Sequence, residues 1–166
     1  MVEFTLAYET KLTHSGIFDF KEFYRFLYEY ITSREYVVIE KSYSEKVKPE
    51  GKEISIEWLC LRRISDYFRF RIKVAIRIID MVSVEVMRDG VKVKRDKGTV
   101  EVKFTAYLER DYENRWEANP FLKFLRGIYD KYIIRNTIVS YRDALAAETD
   151  EINAQVKAFL ALEARR

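Results

Sequence analysis

Apolar and polar residues alternate with a period of two over most of the first two thirds of the chain. The plainest case is Tyr67 to Ile79, where Phe68, Phe70, Ile72, Val74, Ile76 and Ile78 fall on one side and Arg69, Arg71, Lys73 and Arg77 on the other. β-Branched and aromatic residues inward with cations outward describe a strand that has one face on a core and the other in water. At about 3.3 Å per residue the run spans roughly 43 Å, so it needs long partners and a large cover. Val82, Val84 and Val86 keep the same parity, and the strand is expected to continue through a bend near Asp80.

Other stretches repeat the pattern. Val2, Phe4, Leu6 and Tyr8 form a first strand, followed by a polar connector with Thr13, His14, Ser15 and Gly16. The period then changes: Asp19 followed by Glu22 has capping-box spacing, and Phe20, Phe23, Leu27 and Ile31 make a helical stripe that runs to about Thr32. That helix also carries Phe18, Tyr24, Phe26, Tyr28 and Tyr30, more rings than one buried face requires, so some of them line a groove or a contact. Strands follow from Tyr36 to Lys46 and from Ile54 to Leu61, separated by a turn at Pro49 and Gly51. Asp89-Gly90 marks a type I′ hairpin, and Asp96-Lys97-Gly98 a second turn leading into the last strand through Val100, Val102, Phe104, Ala106 and Leu108. After a linker from Asp111 to Trp116, Asn119-Pro120 reads as an N-cap with proline at the first helical position. No further proline follows and Gly127 is the one glycine, which predicts a helix of about 43 residues, roughly 64 Å long.

The fold class expected from layers alone is α+β: a curved antiparallel sheet of about six to seven strands, with an N-terminal helix and a long C-terminal helix packed on it. Strand, helix, antiparallel strands and a long last helix is an element order that resembles the helix-grip fold of the START/Bet v 1-like superfamily. The resemblance covers Val2 to about Arg142 and rests on order and length, with no residue motif. It implies an apolar small molecule or lipid held between sheet and C-terminal helix. Residues 1–142 are expected to form that domain and 143–166 an extension of its last helix.

Composition narrows the chemistry. Hydrophobic residues at 48% and charged residues at 34% describe a folded chain. Lys plus Arg number 30 against 27 Asp plus Glu, and a net charge of +3 argues against nucleic-acid binding as the main task, because each phosphate contact needs an unpaired cation. One cysteine, Cys60, and one histidine, His14, leave no disulfide within the chain and no His/Cys zinc site. With no secretory pattern at the N-terminus and no apolar run long enough to span a bilayer, a cytoplasmic location is expected. Abundant Lys, Arg and Glu beside a single glutamine, Gln155, resemble the composition of proteins from hot environments.

Three groups of residues are candidates for function. Trp58, Phe68, Phe70, Ile72, Val74, Ile76 and Phe104 line either a ligand cavity or a filled core, and Asp80 shares their parity, so an unbroken strand points its carboxylate among them. The alternative is a bulge at Ile79 to Met81 that turns Asp80 to the surface. On the outward face, Arg69, Arg71, Lys73 and Arg77 either grip phosphates beside Tyr67 and Tyr107, or pair with Glu57, Glu101 and Glu109 on neighbouring strands. The last helix carries a seam of Ile134, Ile138, Tyr141, Leu145, Thr149, Ile152, Val156 and Phe159 in steps of three and four. The sheet covers only part of so long a helix. The stripe formed by Leu145, Ile152, Val156 and Phe159 is therefore expected to meet a second subunit, a partner protein or the same domain after a break. The reading is a non-enzymatic binding or assembly protein, with no catalytic residue, metal or cofactor called for.

Overall fold

A computed structural model describes residues 2–113, 119–129, 131 and 135–165. The elements are β1 (Glu3–Phe18), α1 (Phe20–Ser33), β2 (Val37–Lys48), β3 (Gly51–Arg63), β4 (Phe68–Arg88), β5 (Val91–Arg110), α2 (Pro120–Ile128) and α3 (Arg135–Arg165). The five strands form one antiparallel sheet in the order β1-β5-β4-β3-β2, so the first strand pairs with the last. Alternation becomes burial as expected: the even-numbered residues of β4 from Phe68 to Ile78 lie in the core, together with Val100 to Leu108 of β5. Helix α1 begins where Asp19 caps it, its carboxylate accepting the Glu22 N–H at 3.1 Å, and it buries Phe23, Leu27 and Ile31. The element order is compatible with helix-grip topology.

The sheet has five strands where six to seven were expected, because two turn-like stretches lie inside strands. β1 runs through His14 and Gly16 to Phe18, paired with β5 along its length. Gly98 makes no turn in β5. Instead it lets β4 come close, since a Cβ there would stand 2.9 Å from the Ile79 carbonyl oxygen. Gly51, at φ +142°, does the same on the other side, 2.8 Å from the Asp80 carbonyl carbon. Between these glycines β4 bulges, with Asp80 at φ 56° and pairing resuming at Val82. The bend expected near Asp80 is this bulge, and it turns the carboxylate to solvent. At the hairpin tip Asp89 and Gly90 have φ of 51° and 79°, as a type I′ turn requires.

The remaining edge, β2, is almost wholly exposed. Its bulge between Glu40 and Ser42, with lysines at 41, 46 and 48, opposes pairing with another strand. Asn119 caps α2 through Leu122 N–H at 2.9 Å. The single helix expected from Pro120 onward crosses 130 and 132–134, which lie outside the described residues, as do Ile134 of the seam and the end of the linker at Trp116.

Candidate functional site

Trp58, Phe68, Phe70, Ile72, Val74, Ile76 and Phe104 belong to one hydrophobic cluster, each with no more than 4% of its surface exposed. Side chains from α1 and α3 meet them. Tyr141 of α3 sits edge-on to Phe68 at 5.0 Å between ring centroids, and Tyr24 of α1 edge-on to Trp58 at 5.2 Å. These seven residues pack on one another and on the helices. Asp80, expected among them, is exposed at the β4 bulge, because a residue at positive φ breaks the strand's alternation.

The α3 stripe is likewise covered by its own chain. Leu145, Thr149, Ile152 and Val156 are buried, with the Thr149 hydroxyl donating to the Leu145 carbonyl at 2.8 Å. Phe159 is half-buried and stacks on Phe26 of α1, with centroids 4.5 Å apart and ring planes within 6°. Polar ties hold the helix to the sheet, including Tyr8 to Asp150 at 2.7 Å and Arg62 to Glu148 at 2.7 Å. Leu145, Ile152, Val156 and Phe159 therefore meet α1 and the sheet of the same domain, with no break between Arg135 and Arg165. Of the three surfaces expected for the stripe, it meets the same domain, and without the expected break, because β1 and β5 are 16 and 20 residues long.

The outward cations mostly have partners. Glu109, fully buried, accepts from Arg69 and, at 2.8 Å, from Arg71. Arg77 pairs with Glu53 at 2.9 Å, and Lys103 with Glu9 at 2.9 Å. Cys60 is buried, which pushes its thiol up to about 12 and leaves it a weak nucleophile. Among the described residues no group of three His, Cys, Asp or Glu is placed to hold a metal ion.

Between α1 and β2 the fold leaves open a groove of about 500 Å³, walled by Phe20, Tyr24, Tyr28 and Tyr43, with Lys21, Arg25 and Glu29 on its rim. Tyr28 and Tyr43 are each 44% exposed. Behind them Trp58 stands edge-on to both Tyr24 and Tyr28 and fixes their rings. The Tyr24 hydroxyl donates to Glu40 at 3.1 Å and the Tyr43 hydroxyl to Glu45 at 2.7 Å. Burial, helped by those carboxylates, raises both phenols, Tyr43 to about 12, so they stay neutral donors across the physiological range. The surplus rings of α1 were the sequence sign of this groove. Tyr43 had none, because only the fold of β2 brings it opposite the helix.

Among the described residues no helix is long and apolar enough to cross a membrane. Compared with known protein families and with curated proteins, the chain matches none.

Proposed function

We propose that the protein is a non-enzymatic binding protein for a small, largely apolar ring-containing molecule, and that the ligand lies in the α1/β2 groove. The observation that carries this is the row of part-exposed rings, Phe20, Tyr24, Tyr28 and Tyr43, facing a space of about 500 Å³, within the usual range of small-molecule sites. Leaving such rings in water forfeits burial worth about 25 cal/mol per Å² of apolar surface, and a flat apolar ligand recovers it. Where the helix-grip resemblance puts a ligand, between the sheet and α3, Phe68 and Phe70 each pack edge-on to Tyr141. A further opening of about 350 Å³ on the helix side lies between β1 and α3, lined by Lys11, His14 and Leu160, and it carries no Phe, Tyr or Trp.

The test is native mass spectrometry of gently purified protein against its denatured mass. An adduct that vanishes on denaturation, and that Tyr28→Ala and Tyr43→Ala each diminish, supports the reading. A bare chain mass, or an adduct that survives both substitutions, refutes it. A second reading, assembly with another protein, is favoured by α2, where Phe121 and Phe124 are 66% and 63% exposed while Arg126 points inward. A mass at an integer multiple of the chain would turn attention there.

A further inference from the structure

The face of the sheet opposite α1 and α3 holds two adjoining hollows of about 400 and 230 Å³ that share Arg71 and Lys73 as a common wall. The larger lies over the centre of the sheet, where the small side chains of Ala75 and Thr105 lower the floor, and Lys41 and Lys103 stand at its margin with Glu57 as its one carboxylate. The smaller is bounded by the rings of Phe4 and Tyr107, which meet edge-on at 6.2 Å. Phe4 is 53% exposed. The two halves are joined electrostatically: the Arg71 guanidinium lies 5.5 Å over the Phe4 ring, and the Lys73 ammonium 5.6 Å over that of Tyr107.

Charge is distributed unevenly on this face. Arg69, Arg71, Arg77, Lys11 and Lys103 each have a carboxylate within ion-pair distance. Lys41 and Lys73, which flank the larger hollow, make no such pair among the described residues. Two ammonium groups without a carboxylate, Lys41 and the Lys73 that rests over Tyr107, beside the exposed Phe4 ring suit an anion attached to something flat. We propose that this face binds a phosphorylated planar ring, with the ring on Phe4 and Tyr107 and the phosphate between Lys73, Lys41 and Arg71. That is the repeating unit of a single-stranded nucleic acid and equally a free nucleotide; both offer a π face for stacking and an anion for the lysines. A net charge of +3 limits the footprint to a few phosphates, so modest affinity and a shallow salt slope are expected. The proposal does not depend on the α1/β2 groove, which lies on the other side of the sheet.

The experiment is fluorescence anisotropy of a short labelled oligouridine with the full chain, in low salt and then at about 200 mM, followed by displacement with adenosine monophosphate. Exposed Lys73→Glu is expected to weaken binding at least about tenfold, and Tyr107→Ala by a similar factor, given the worth of one base–aromatic stack. Lys92→Glu at the hairpin tip serves as a charge control and is expected to leave binding unchanged. Thermal melts establish that the variants fold. Displacement by the mononucleotide makes the free nucleotide a sufficient ligand; binding without displacement makes the polymer the source, and either result supports the site. No binding of oligomer or mononucleotide at low salt, or equal losses from Lys73→Glu and Lys92→Glu, overturns it.

Discussion

Arg95 and Glu163 form an ion pair with 6% and 3% of their surfaces exposed, linking β5 just beyond its pairing with β1 to the last turns of α3. Glu163→Ala leaves the guanidinium buried without the Glu163 carboxylate, and the Arg95 Nε already lacks a hydrogen-bond partner among the described residues. Breaking one partner of a buried pair costs about 3–5 kcal/mol, a large share of the roughly 5–15 kcal/mol that holds a domain together. At roughly 2–4 °C per kcal/mol for a chain of this size, the melting temperature is expected to fall by roughly 6–20 °C. By contrast, Asp66→Ala removes the partner of Arg63 in a pair whose side chains are 62% and 71% exposed, and is expected to leave the urea midpoint nearly unchanged. The assay is urea unfolding followed by far-UV circular dichroism on both variants and on the double variant Arg95→Met with Glu163→Leu. The double variant is expected to regain most of the lost stability, because it removes the buried charges altogether. If Glu163→Ala costs less than about 1 kcal/mol, or the double variant is no better than the single, the desolvation argument fails.

Gly98→Ala places a methyl group against the backbone of Ile79 and Met81, which cannot rotate aside, so an overpacking cost of about 1–3 kcal/mol is expected by the same urea assay; a neutral effect would mean that β4 shifts freely there. Hydrogen bonds from Lys48 and then Arg77 hold the Glu53 carboxyl down at about 2. Because the folded value is depressed, this contribution is complete above the ordinary carboxylate pKa of about 4.3 and is lost as pH falls from there through about 2. Glu53→Gln is therefore expected to flatten the acid limb of a melting-temperature profile between those values and to lower stability at neutral pH. An unchanged acid limb would show that other carboxylates control it.

The sequence by itself determined the elements whose cause is local. Alternation set the strands and the buried side of β4, because side chains in a pleated strand alternate whatever the strand packs on. Asp19 with Glu22, Asn119 with Pro120, and Asp89-Gly90 marked their caps and hairpin by hydrogen bonds and φ values that lie within a few residues. Trp58 and Phe104 were legible as inward for the same reason. Only the tertiary structure decided what depends on residues far apart in the chain. Gly98 read as a turn residue yet lies inside β5, and together with Gly51, which does close the β2–β3 turn, it leaves room for the β4 bulge, a close approach that sends Asp80 to solvent instead of the core. The α3 stripe left a second subunit, a partner or the same domain open as its cover, because nothing local says that β1 and β5 are long enough to meet it. The α1/β2 groove and the Phe4–Tyr107 platform each join rings from two distant elements, and the Arg95–Glu163 pair joins residues 68 positions apart. A side chain's chemistry is carried in the sequence, but burial, partners and exposure are set by what the fold brings against it.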